Sequence, residues 1–466
     1  MGTVPLKQIA SIVGAQNVSS SPEERCCYGY DASRLQAVPE CVAFPGSSAE
    51  VAELLQLANR DAFAVFARGA GSGMVGAAVP WSGGLVIAMN RLNRILDIDQ
   101  DNMLAVVQPA VVTANLQKAV SQMGLFYPPD PASLQFSTLG GNVAMCSGGP
   151  RAVKYGVTRD YVMALEVVLP TGTILRTGSR SMKSVVGYDL TRLMVGSEGT
   201  LGIFTEITLR LLPHPEALRT LLAVFPVLED AAQAVANIIR NRILPCTLEL
   251  MDQAALQVVE NYLHAGLPVD AEAVLLIELD GQECVLNQEL PKVRNICHDA
   301  GASEVETAHS ETERERLWRA RRSISAALGQ IRPGKINEDI AVPRTQIPSL
   351  IKAIRALAEK HQLLIVNFGH AGDGNMHMNI MLDPHDPEER KRAEQAVEEL
   401  FRVVLAMGGT LSGEHGIGIA KSPFFPLEVG REGWEVMWRI KQALDPRNIL
   451  NPGKMFVGNR AFFQIR

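Results

Sequence analysis

Arg68-Gly-Ala-Gly-Ser-Gly-Met-Val-Gly76 follows the apolar run Ala62–Ala67 and leads into Ala77-Ala-Val-Pro-Trp-Ser-Gly-Gly84. Gly71, Gly73 and Gly76 have the GxGxxG spacing of a dinucleotide loop, so a Rossmann unit has to be weighed first. That fingerprint works only where the glycines open a helix whose N-terminus faces a pyrophosphate. Residues 77–84 carry a proline and two glycines and cannot form such a helix. A strand followed by glycine, alanine and serine still turns several backbone N–H groups into one concavity, which binds phosphate without a helix dipole. The other reading of this segment taken alone is an ordinary glycine-rich turn.

The surroundings read as short strands broken by glycine loops. Cys41–Phe44 ends at Pro45-Gly46, and Ser48, with Glu50 and Glu53 behind it, looks like the N-cap of a helix running to about Arg60. Residues 85–89, 95–98 and 104–107 are strand-like, and 114–123 has helical spacing. Pro170-Thr-Gly172 reads as the turn of a hairpin joining 161–169 to 173–176. After His214 the rhythm changes to alternating strands and helices: strands at 221–225, 247–250, 272–279, 338–342 and 363–367, helices at 228–240, 287–300, 311–328 and 347–360. This predicts an α+β domain with helices on one face of a sheet.

With 466 residues the chain exceeds one ordinary core. A formal charge of −6 and no block of basic residues argue against nucleic acid as a partner. Seven scattered cysteines without a CxxC fit neither a disulfide framework nor an iron–sulfur cluster held by this chain alone. A reducing cytoplasmic setting is expected, with any membrane association, at its inner face, made through a partner. No apolar run approaches the ~20 residues of a membrane span.

Further glycine-rich segments follow in order: Tyr127-Pro-Pro-Asp-Pro-Ala-Ser133, Thr138-Leu-Gly-Gly-Asn142, Ser147-Gly-Gly149, Tyr155-Gly156 and Gly196-Ser-Glu-Gly-Thr-Leu-Gly-Ile203. Together they resemble the FAD domain of the vanillyl-alcohol oxidase and para-cresol methylhydroxylase flavoproteins over about residues 37–215. The resemblance implies that Arg68, Gly69, Ala70, Gly71, Ser72 and Gly73 wrap the pyrophosphate. It sets Pro129, Asp130, Ser133, Thr138, Gly140, Gly141 and Asn142, then Ser147, Gly148, Gly149, Tyr155 and Gly156, along the isoalloxazine and ribityl chain. Glu198, Gly202 and Ile203 fall near the adenine side, and Asn451 joins from the C-terminal Leu444–Lys454 segment. The first histidine is His214, so a histidyl link to flavin within this domain is unavailable and non-covalent FAD is implied.

Two more segments carry chemistry: Asn367-Phe-Gly-His-Ala-Gly-Asp-Gly-Asn-Met-His-Met-Asn379 and Ser412-Gly-Glu-His-Gly-Ile-Gly418. His370, His377 and Glu414 make a two-imidazole, one-carboxylate set that leaves coordination positions open. Both segments resemble, nearly letter for letter, the C-terminal cap of D-lactate, D-2-hydroxyglutarate and glycolate dehydrogenases. That resemblance implies His370, His377 and Glu414 as ligands of a divalent metal (zinc, iron or manganese), Asn379 near the substrate and His415 as general base. It also aligns Arg321, in Trp318-Arg-Ala-Arg-Arg-Ser-Ile324, with the arginine that binds the substrate carboxylate. The competing reading puts Arg314, Arg316, Arg319, Arg321 and Arg322 on a solvated helix face. Ser325 and Lys335 are weaker substrate candidates.

The expected fold class is α+β. A two-part FAD-binding domain of the vanillyl-alcohol oxidase type spans 1–215, an α+β substrate and metal cap with an antiparallel sheet spans 216–425, and 426–466 returns to the FAD domain. The expected activity is FAD-dependent oxidation of a small D-2-hydroxy acid, glycolate or D-lactate among them, to the 2-keto acid by hydride transfer to flavin N5. Electrons would pass on to an iron–sulfur subunit, an electron-transferring flavoprotein, a quinone or a cytochrome, and a homodimer is one expected assembly. A flavin-dependent alkyl transferase and a non-catalytic FAD-binding subunit are the alternatives. The second should have lost the two histidine motifs, and this chain keeps both.

Overall fold

The strand that enters the glycine loop is Val65–Arg68, and it pairs in parallel with Leu85–Ala88, which pairs in parallel with Cys41–Ala43. In this computed structural model, which describes residues 2–456, Val18–Ser19 completes the four-stranded sheet. The helix Ser48–Asp61 connects Cys41–Ala43 to Val65–Arg68. Its cap is Ser47, one residue before the expected Ser48, because the Ser47 hydroxyl accepts from the Glu50 backbone N–H at 3.2 Å. Its apolar stripe, Val51, Leu54, Leu55 and Ala58, is buried in one core with Phe63, Val65, Leu85 and Ile87. Residues 77–84 form no helix. The loop is therefore not a Rossmann loop.

The same unit holds a five-stranded antiparallel sheet in the order Ile95–Asp99, Leu104–Val107, Ile203–Arg210, Val162–Val168, Ile174–Gly178. The hairpin expected around Pro170-Thr-Gly172 is its last pair. This unit comprises residues 2–148, 157–214 and 414–456 of the described chain, and the second comprises 149–156 and 215–413. The chain rejoins the first unit at Glu414 rather than at 426. Residues 457–466 of the expected returning segment lie outside the described residues.

The second unit is built on a seven-stranded antiparallel sheet. Its order is Glu304–Thr307, Ala217–Phe225, Ala273–Gly281, Thr247–Asp252, Leu364–His370, Asn375–Leu382, Gly334–Ala341. Helices cover both faces, a correction to the one-face expectation. Leu222, Val224, Met251, Leu276, Phe368 and Met381 share a core with helices Gln253–Leu263 and Glu311–Ala327. Residues of opposite parity, Leu221, Ala223, Leu275 and Ile277, are equally buried and point the other way. Helices Leu228–Arg240 and Glu283–Asp299 pack there, and the first is backed by Ile347–His361. Periodicity alone could not decide this, because a strand buried on both faces reads as a continuous apolar run. Among the described residues no helix is long and apolar enough to cross a membrane.

Candidate functional site

In the first unit the glycine loop opens a cavity of about 1300 Å³, its open mouth included. Of the expected cofactor residues, Arg68 through Gly73, Ser133, Thr138, Gly140, Gly141, Asn142, Ser147, Glu198, Gly202, Ile203 and Asn451 line it. Pro129, Asp130 and Gly148 do not, and Gly149, Tyr155 and Gly156 belong to the second unit, where the Tyr155 hydroxyl donates to Asp280 at 2.7 Å. Pro109, Met145 and Phe204 line the cavity without a motif to announce them. The wall offers serine and threonine hydroxyls and glycine backbone, a make-up that fits FAD. Gly71 sits at φ +69°, and a Cβ there would come within 2.3 Å of the Arg68 guanidinium. Arg68 itself donates to the Tyr30 carbonyl at 2.6 Å.

Two pieces of chain brace this wall. Both carboxylate oxygens of Glu198 accept backbone N–H groups, Ile417 and Gly418, at 2.7 Å each. They secure the turn after Glu414 and His415, which also line the cavity. Burial pushes the Glu198 carboxyl up, while the two backbone donors, Lys454 and Lys421 pull it back. From the C-terminal segment, Lys454 donates to the carbonyls of Gly76 at 2.6 Å and Val79 at 2.5 Å. Burial holds its amine down at about 7, against the pull of Asp31 and Glu198. The Asn451 amide donates to the Ala77 and Glu198 carbonyls at 3.0 and 2.6 Å. The His415 Nε2 lies 3.7 Å from a Glu414 oxygen.

In the second unit the His-rich motif is a hairpin. Leu364–His370 and Asn375–Leu382 pair so that His370 faces Asn375 and Phe368 faces His377. The two imidazoles therefore leave the same face, with ring centroids 5.2 Å apart and planes nearly perpendicular. The neighbouring strand sets Asp339 opposite His377, its Oδ1 3.9 Å from Nδ1. Asp339 also accepts from the Asn375 amide at 2.7 Å and the Ser412 hydroxyl at 2.9 Å. Asn379 leaves the same face as His377, and its amide accepts from Asn337 at 2.7 Å and donates to the Val366 and His377 carbonyls. Two imidazoles and a carboxylate converging on one buried face are a donor set that fits a divalent cation.

Arg321 is not on the solvated face of its helix. It falls on the buried stripe Leu317, Trp318, Ala320, Ile324 and is 7% exposed, whereas Arg316, Arg319 and Arg322 are exposed. Its Nε donates to Glu249 at 2.7 Å, and its guanidinium stacks 4.9 Å from the centre of the Phe368 ring. The second oxygen of Glu249 bonds His370 Nδ1 at 2.7 Å. Burial would raise the Glu249 carboxyl, but His370 and Arg321 together hold it below its ordinary value. Glu249 and Asp339 escape a sequence reading because each sits in a strand with no motif around it. Ser325 and Lys335 bond each other at 3.1 Å.

The chain matches two families in succession: the FAD binding domain over residues 39–178 and the FAD linked oxidases, C-terminal domain, over residues 214–455. It is 46% identical to the glycolate oxidase subunit GlcD of Bacillus subtilis (strain 168), over 97% of this chain and 96% of that protein. It is 34% identical to a D-lactate dehydrogenase of Anaerostipes hadrus, over 94% and 93%. Among solved structures, p-cresol methylhydroxylase superposes with a TM-score of 0.80 at 17% identity, covering 97% of this chain and 96% of that one. An alkyldihydroxyacetonephosphate synthase superposes at 0.73 and 22%, covering 96% and 84%. At those identities the structures establish the fold alone, that of the para-cresol methylhydroxylase type. The two family matches and the long curated relatives go further: this chain belongs to the FAD-linked oxidase family and is an FAD-linked oxidoreductase.

Proposed function

We propose that the protein oxidises a small D-2-hydroxy acid to the 2-keto acid, using FAD and a divalent metal. One arrangement carries the reading: a buried arginine and two imidazoles share a single face of the second unit's sheet, with Glu249 joining Arg321 to His370 and His377 beside them. Relatives named as a glycolate oxidase subunit and a D-lactate dehydrogenase support the substrate class.

FAD, held without a histidyl link, would supply at N5 the acceptor for the hydride leaving C2. A bound cation, zinc, iron or manganese, would polarise the substrate hydroxyl. Its proposed ligands are His370 and His377, with Glu414 assigned on its motif. Arg321 offers the substrate carboxylate the guanidinium edge that Glu249 does not use, and a planar fork suits that anion. Asn379, held by three hydrogen bonds, forms a rigid wall beside His377. His415 takes the hydroxyl proton, so one hydride and one proton leave and a carbonyl remains at C2. A partner polypeptide as onward electron acceptor is consistent with the relative named as a subunit. The test is anaerobic flavin bleaching by a panel of D- and L-2-hydroxy acids, with and without chelator. Bleaching by the D-acids alone, slowed by chelator, is expected; bleaching by none refutes the reading.

A further inference from the structure

We propose that Glu249 is a positioning residue that serves two roles through one carboxylate: it orients His370 toward a cation and holds Arg321 ready for the substrate. Glu249 lies on the strand Thr247–Asp252, and that strand pairs Leu250 with Gly369. This register sets Glu249 beside His370. Its side chain is fully buried, so a carboxylate here needs partners to offset its lost hydration. One oxygen meets His370 Nδ1 at 2.7 Å. The other meets Arg321 Nε at 2.7 Å and Nη2 at 2.5 Å.

The chemistry follows from what each partner must do. A neutral imidazole has one N–H and one lone pair. A carboxylate at Nδ1 accepts that N–H and leaves the lone pair on Nε2, the state a cation requires. An isosteric glutamine can accept from Arg321 or face His370, but its amide N–H₂ toward Nδ1 would favour the opposite tautomer. On the other side, Glu249 fixes the arginine's plane against Phe368, which leaves a predictable edge for a second carboxylate. Trp318, one turn away on the same helix, makes the analogous buried bond to Glu278 at 2.8 Å. The helix is thus tethered at a second point, and Glu249 is not needed merely to dock it.

This inference rests on the proposed metal chemistry, and its test separates the two. Zn²⁺ is titrated calorimetrically into chelator-treated, FAD-containing wild type, Glu249→Gln and Glu249→Asp. Loss of an outer partner of a metal-bound histidine typically costs ~10–100-fold in affinity, expected here for the Gln variant. The Asp variant, which keeps the charge, should lose less. A purely space-filling role predicts the reverse order, since glutamine matches the volume and aspartate does not. The Gln change also strands the buried Arg321 charge. Should it fail to fold, the double variant Glu249→Gln/Arg321→Met removes both charges and should show the same Zn²⁺ deficit with FAD retained. No Zn²⁺ binding by wild type overturns the metal reading and this inference together. Wild-type binding with unchanged affinity in the Gln or double variant, or aspartate worse than glutamine, overturns this inference alone.

Discussion

Changing Glu198 to glutamine tests how the first unit holds the turn that follows Glu414 and His415. In the native wall, two backbone N–H groups at 417 and 418 each reach a carboxylate oxygen at 2.7 Å. Glutamine keeps one acceptor and turns an N–H₂ donor toward the other N–H. One hydrogen bond to a charged acceptor is lost, worth about 1.5–3 kcal/mol. At ~1.4 kcal/mol per tenfold, the open form of the turn should rise roughly 10- to 100-fold. Native-state hydrogen exchange reads this directly, at the amides of Ile417 and Gly418. Both should exchange about that much faster in Glu198→Gln, while amides of the strand Val65–Arg68 keep their wild-type rates. Gly416 packs tightly against this carboxylate. It sits at φ +85°, and a Cβ there would approach a Glu198 oxygen at 2.8 Å. Unchanged exchange at 417 and 418 would refute the claim that this carboxylate bears the turn.

The remaining predictions concern the second unit and the reaction. Asp252, which caps the helix Gln253–Leu263 and accepts from Asn367, is pushed up to about 6 by burial. The unfolded chain ionises this group at lower pH, so stability is full below about 4 and falls as pH rises through about 6, by up to ~3 kcal/mol. Urea midpoints across that window should show the fall, and Asp252→Asn should abolish it. Arg321→Lys should raise KM for the hydroxy acid about 10- to 100-fold, the cost of a lost charged hydrogen bond, with FAD content unchanged. Unaltered steady-state kinetics would remove Arg321 from the substrate site. His377→Ala should lose metal by elemental analysis. His415→Ala should keep metal and FAD while stopped-flow flavin reduction slows by ~10²–10⁴, as expected for loss of a general base. Metal loss in the second variant and retention in the first would reverse the two assignments.

Local chemistry wrote much of this protein directly into its sequence. A glycine run followed by Pro80, Gly83 and Gly84 cannot be helical, so residues 68–84 alone exclude a Rossmann turn. The hairpin at Pro170-Thr-Gly172 is legible in the same way. Tertiary structure alone decided the placement of single side chains whose neighbours come from distant strands. Arg321 looks like one arginine among five on a charged helix, and only burial of the Leu317, Trp318, Ile324 stripe turns it inward. Glu249 and Asp339 stand in strands with no signature, and they gain meaning through the cross-strand register that brings them to His370 and His377. Periodicity specifies which face a residue takes within its own element. Which residues meet across elements is set by sheet order, and sheet order depends on contacts between segments more than a hundred residues apart, such as Glu249 and His370.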